Sequence, residues 1–213
     1  MRKNKKLLTI LLAVCLVVAM MPSMVFAATA KSDDIVVLYT NDVHCGIDES
    51  IGYDGLAAYK ADKLKETKNV VLVDAGDAIQ GDLAGALSKG DYIVDIMNQV
   101  GYDVAVPGNH EFDFGMDQFL ALTQKANAKY ISSNFMDTKA NKTVFDPYVI
   151  KEIGGKKVAF VGISTPESIT KSTPAFFQDE KGNYIYDFCN DKTGKKLYEA
   201  VQKAIDAAKA EGA

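Results

Sequence analysis

Short β-branched apolar runs, spaced by helical stripes, set what this chain can fold into. Ile35-Val36-Val37-Leu38-Tyr39 and Val70-Val71-Leu72-Val73 lack polar alternation, which predicts strands buried on both faces of a parallel sheet. Residues 54–66, between them, read as a helix. Ile93, Ile96, Met97 and Val100 fall at i, i+3, i+4 and i+7 with Gly101 as a stop, a second helix, and Asp103 to Val106 follows at once as a third strand. Residues 115–126 predict another helix and Lys129 to Ser132 a short strand. Val149 to Ile153 and Lys157 to Ile163 flank Gly154-Gly155, the two-residue turn of a β-hairpin. Leu197, Val201, Ile205 and Ala208 share one face of a last helix that stops at Gly212. This alternation specifies an α/β fold with a largely parallel sheet, flanking helices and an antiparallel hairpin. A helix is a poor last element in such a chain, so the pattern predicts a further strand beyond it and reads as truncated at the C-terminal side.

The first residues stand apart from that pattern. Arg2, Lys3, Lys5 and Lys6 precede an apolar run from Leu7 to Met21, and Val25-Phe26-Ala27 fits a small-x-small cleavage site. Residues 1–27 therefore read as a secretory signal peptide, with Pro22 and the small-residue exit weighing against a retained membrane anchor. Its removal takes away four positive charges and no negative ones, moving the formal net charge from −4 to −8. An acidic chain with no basic stripe is unsuited to wrapping nucleic acid, so any nucleotide partner is a small one. Cys45 and Cys189 remain after cleavage in a disulfide-permissive compartment; whether they pair is left open by their spacing.

Three polar clusters begin within a few residues of predicted strand ends: Asn41-Asp42-Val43-His44, Asp74-Ala75-Gly76-Asp77 and Gly108-Asn109-His110-Glu111-Phe112-Asp113. Ligands of open α/β sheets bind beyond the carboxyl ends of strands, so three separate segments are placed to converge. Both histidines of the chain, His44 and His110, lie inside these clusters. Carboxylate, imidazole and carboxamide oxygen suit zinc, manganese or iron. Continued strand alternation would aim Asp42 and His44 to one side, and Asp77 could offer its two oxygens to two ions. Singly, two of the clusters are ordinary: Asp-x-His is common in solvated loops and Gly76-Asp77 is a common turn; Gly108-Asn109-His110-Glu111 is the stronger signal. Cys45, beside His44, is a further candidate ligand or nucleophile, with a small packed side chain as the plain alternative. The glycines from Gly76 to Gly85 lack the Gly-Lys-Ser/Thr of a P-loop. Tyr53, Tyr184, Tyr186 and Phe188 read as packing groups rather than a base-stacking set.

In order and spacing, Asp42-x-His44, Gly76-Asp77 and Gly108-Asn109-His110-Glu111 resemble the motif set of the calcineurin-like metallophosphoesterases. The longer strings Thr40 to His44, Asp74 to Gly81 and Gly108 to Asp113 resemble its secreted bacterial 5′-nucleotidase and 2′,3′-cyclic-nucleotide phosphodiesterase branch. The resemblance implies a layered sheet sandwich flanked by helices over residues 33–213, and two divalent metal ions among zinc, manganese, iron and cobalt. By the same resemblance Asp42, His44, Asp77 and Asn109 are metal ligands, His110 is a phosphate-facing group and Asp113 orients it. The family's remaining histidines, one after the next strand and a Gly-His-x-His motif, have no counterpart among the two histidines here, nor has its C-terminal nucleotide-binding domain. The expectation is an incomplete N-terminal domain of an extracellular nucleotide phosphoesterase, inactive or nearly so alone, with any cell-wall anchor encoded downstream. Hydrolysis of another ester, such as a sugar-nucleotide or a sulfur ester, and a non-catalytic secreted binding module on the same fold stand as alternatives.

Overall fold

The computed structural model describes residues 31–213, so the signal peptide read over residues 1–27 lies outside the described part. Strands β1 (Val36–Thr40), β2 (Val70–Asp74), β3 (Val104–Ala105) and β4 (Lys129–Tyr130) form one parallel sheet in the order β1-β2-β3-β4. Val36 pairs with Val70 and Thr40 with Asp74, so the first two strands end level with one another. Helix α1 (Gly52–Glu66) carries the chain from β1 to β2; α2 (Leu83–Ser88) and α3 (Asp91–Val100) carry it to β3; α4 (Met116–Lys125) carries it to β4.

The helical stripes behave as their spacing dictates. In α3 Ile93, Val94 and Met97 are buried, and Gly101 adopts φ 82° so that its N–H reaches the Met97 carbonyl and closes the helix. In α4 Met116, Phe119 and Leu122 are buried.

After β4 the chain becomes antiparallel. Strands β5 (Met136–Asp137) and β6 (Lys142–Thr143) pair with one another, and β5 pairs with β9 (Tyr186–Asp187) on its other side. The predicted hairpin is β7 (Tyr148–Ile153) with β8 (Lys156–Val161), joined through Gly154 and Gly155 at φ 59° and 73°. Two consecutive positive φ values define the turn whose twist matches the strands, and glycine adopts them without a Cβ clash. Helix α5 (Ser168–Lys171) is one turn, and α6 (Lys195–Ala210) packs Ala204 and Ala208 inward against β7 and β8.

One expectation is corrected. β1 is buried on one face only: Val37 is 44% and Tyr39 71% exposed, whereas Leu38 packs against the core. Among the described residues the strand lies at the sheet edge with β2 as its one partner, so an unbroken apolar run here does not mark a central strand.

The core gathers on the motif that follows β3. Phe112 is fully buried, with its ring 5.0 Å from Phe119 and Phe177, 5.3 Å from Phe135 and 5.7 Å from Phe188. One aromatic therefore ties the loop carrying His110 and Asp113 to α4 and to the segments before and after β9. Phe112→Ala is expected to cost about 3–5 kcal/mol through the cavity it leaves. Urea unfolding monitored by circular dichroism measures this, and a loss below about 1 kcal/mol would show that the loop is anchored elsewhere.

Candidate metal centre

The three loops leave the C-terminal ends of β1, β2 and β3 side by side and stay zipped after the strands stop. Ala75 N–H bonds the Thr40 carbonyl at 2.8 Å, Asp42 N–H bonds Gly76 at 3.0 Å, His44 N–H bonds Asp77 at 2.9 Å, and Cys45 N–H bonds Ala78 at 2.9 Å. Val106 N–H reaches the Asp74 carbonyl at 3.0 Å and joins the third loop to the second. Two glycines permit this approach: a Cβ on Gly76 would lie 2.5 Å from Gly108 N, and one on Gly108 would lie 2.3 Å from Asp77 Oδ1. Asp42, His44 and Asp77 all sit in the left-handed region at φ 51°, 47° and 60°. Asp and His tolerate that region better than most residues, at a cost of about 1–3 kcal/mol each.

His44, Asp77 and His110 each bring one donor atom into a group whose atoms lie within 4.8 Å of one another. The imidazoles meet edge to face, with centroids 4.9 Å apart at 71°. Each has its Nδ1 committed elsewhere. His44 Nδ1 lies 2.9 Å from the Gln80 carbonyl, which can only accept, so Nδ1 carries the proton and Nε2 keeps a free lone pair. His110 Nδ1 lies 2.6 Å from Asp113 Oδ2, and Asp113 Oδ1 accepts from the Ser172 hydroxyl at 3.3 Å. Asp77 Oδ1 accepts the backbone N–H of His110 at 2.8 Å, leaving Oδ2 for other partners. No lysine among the described residues pairs with Asp42, Asp74, Asp77, Glu111 or Asp113; their ion-pair contacts are with the two histidines. Carboxylates gathered without a cationic side chain, beside two oriented imidazoles, are the donor chemistry of a divalent cation, and the residues fit one.

Other expected ligands stand less centrally. Asp42 is outside the tight group: its carboxylate is 62% exposed, with Oδ1 3.9 Å from His44 Nε2. The strand alternation expected to aim Asp42 and His44 together ends at Thr40, and the left-handed turns at both residues bring them near by a different route. Asn109 starts the one-turn 3₁₀ helix His110–Phe112, and its side chain makes no capping bond. Cys45 is fully buried, and its Sγ faces Gly85, against which a Cβ would stand only 2.1 Å away. Burial pushes its thiol up, so it is a packed, protonated side chain rather than a nucleophile. Cys45 and Cys189 are both free thiols. Tyr53 and Phe188 are core residues and Tyr184 is exposed, so they form no stacking group.

Two buried acids beneath the loops escaped the reading of single motifs. Glu111 is 1% exposed and accepts the backbone N–H groups of Asp77, Ala78 and Gly108. Asp74 is 3% exposed and accepts from the Thr40 hydroxyl at 2.8 Å and from Gly76 N–H at 3.1 Å. Burial, then the nearby Glu111 carboxylate, pushes Asp74 up to about 7. A carboxyl whose folded pKa lies above its unfolded value favours the fold most fully below the unfolded value. That contribution is lost as pH rises towards the folded one. Metal-stripped protein is therefore expected to lose on the order of 4 kcal/mol between about pH 4 and pH 7 relative to Asp74→Asn. Denaturant melts of both proteins across that range check the difference, and parallel stability curves would rule it out.

Known proteins share this chain's sequence and fold. Residues 35–205 match the family model for calcineurin-like phosphoesterase. The chain belongs to that family. A snake venom 5′-nucleotidase of Gloydius brevicauda is 33% identical over 175 residues, covering 72% of this chain and 30% of the venom protein. A 2′,3′-cyclic-nucleotide 2′-phosphodiesterase/3′-nucleotidase of Salmonella typhimurium is 29% identical over 168 residues, covering 66% and 26%. Among solved structures, a 5′-nucleotidase precursor from Thermus thermophilus superposes with a TM-score of 0.67 at 26% identity, covering 84% of this chain and 35% of that one. The chain thus spans about a third or less of the length of these relatives.

Proposed function

We propose that this chain is the metal-holding part of a secreted, divalent-metal-dependent hydrolase of nucleotide phosphate esters: a 5′-nucleotidase, a 2′,3′-cyclic-nucleotide phosphodiesterase, or both. The observation that carries the reading is the convergence of His44, Asp77 and His110 donor atoms within 4.8 Å at the ends of three parallel strands. The relatives named for these activities support the substrate class. The basic-then-apolar sequence pattern of residues 1–27 supports export.

Asp42, His44, Asp77 and Asn109 would hold the cations. A divalent pair, when bound, supplies Lewis acidity and a nucleophile at neutral pH. The chain's own residues do the rest. Gln80 fixes the His44 tautomer through its carbonyl, so Nε2 faces the centre. Asp113 holds Nδ1 of His110 and so fixes the ring, whose Nε2 would bond a phosphoryl oxygen as charge builds there. A donor fixed before the reaction needs no reorganisation during it.

The test combines binding and turnover. Titration with Mn²⁺ or Co²⁺ is expected to reach two ions per complete protein, with phosphate release from nucleoside 5′-monophosphates or 2′,3′-cyclic nucleotides that needs the metal. Selective release from sugar-nucleotides or sulfur esters would reassign the substrate, and metal binding without any hydrolysis would support a binding module. With two imidazoles as its whole histidine complement, the 213-residue chain alone is expected to bind metal weakly and turn over little; full nucleotidase activity from it would overturn that part.

A further inference from the structure

Glu111 has none of the features of a ligand or a proton carrier. It is 1% exposed, forms no ion pair among the described residues, and points away from solvent beneath the two loops that follow β2 and β3. Its Oε2 accepts N–H from Asp77 at 2.8 Å and from Gly108 at 2.7 Å, while Oε1 accepts N–H from Ala78 at 2.9 Å. Asp77 returns the contact, its Oδ1 accepting the N–H of His110, the residue before Glu111, at 2.8 Å. Each loop thus contributes one acid that captures amides of the other.

We propose that Glu111 is a positioning residue that presents Asp77 to the metal centre. Asp77 stands at φ 60°, a conformation that unconstrained aspartate seldom keeps. The clamp on the Asp77 and Ala78 amides holds it there, and with Oδ1 engaged by His110 N–H it is Oδ2 that remains to face a cation. Both side-chain oxygens must accept. Three N–H donors converge on its two oxygens, and glutamine would set an NH₂ group against at least one of them. A buried partner of this kind orients a ligand before any ion arrives. The inference rests on reading the centre as a divalent-cation site, and it adds a residue that touches neither cation nor substrate.

The experiment is Mn²⁺ titration by electron paramagnetic resonance, with the visible absorption of the Co²⁺-saturated form, on the complete protein as wild type, Glu111→Gln and Asp74→Asn. Glu111→Gln is expected to weaken Mn²⁺ binding about 10- to 100-fold and to change the band shape of the saturated cobalt spectrum. Asp74→Asn removes a buried acid nearby without touching the clamp, and is expected to shift affinity less and leave the spectrum alone. Equal affinity losses in both variants with unchanged spectra reduce Glu111 to a charge effect and overturn the proposal, as does wild-type binding by Glu111→Gln. A wild type that binds neither ion overturns the metal reading instead. Should Glu111→Gln fail to fold, amide exchange of the metal-free wild type decides: slow exchange at Asp77, Ala78 and Gly108 supports the clamp, and exchange at open-loop rates overturns it.

Discussion

Asp77→Asn is expected to abolish metal binding and, with it, hydrolysis by the complete protein. The asparagine keeps one acceptor for His110 N–H but replaces the remaining carboxylate oxygen, the one left facing His44 and His110, with an amide or withdraws it. It also removes the negative charge at the middle of a donor set that contains no lysine. Loss of a partner that merely orients a ligand already costs about 10- to 100-fold in affinity, so loss of a central ligand should exceed that. Calorimetric titration with Mn²⁺, alongside a melt showing that the variant is folded, measures the effect. A folded Asp77→Asn chain with wild-type affinity would remove the basis for the metal centre.

The second large effect separates two roles for His110. As a phosphate-facing donor, His110→Gln should lower kcat by about 10²- to 10³-fold while the metal content stays near wild type, because the lost interaction belongs to the transition state. As a ligand, it should lose metal and activity together, as Asp77→Asn does. The geometry places His110 in the same 4.8 Å group as His44 and Asp77, and its Nδ1 is already held by Asp113. Metal analysis beside initial rates distinguishes the two, and a fall in metal content to match the fall in rate would reject the donor role.

Much of this arrangement is legible in the residues alone. The apolar runs at 36–40 and 70–74, the stripe on α3, the Gly154-Gly155 turn and the order of the three clusters all depend on interactions local in sequence: side-chain periodicity, glycine's access to positive φ, and the placement of polar residues just past strands. The two-residue strands β5, β6 and β9 are not legible, because two residues carry no period and each exists only through its partner across the sheet. The exposure of Tyr39 is equally hidden, since a run of β-branched residues looks the same at an edge as in the middle.

The sequence by itself determined the alternating α/β fold and the chemical types that would meet: carboxylate, imidazole and carboxamide at three strand ends. Only the tertiary structure decided which of them converge. It drew His44, Asp77 and His110 together, left Asp42 at the exposed margin, and turned Glu111 inward to hold the amides of Asp77, Ala78 and Gly108. The reason is physical. Composition and spacing report what a residue can bond, whereas the left-handed turns at Asp42, His44 and Asp77 are held by hydrogen bonds between loops more than 30 residues apart, such as Asp77 N–H to Glu111.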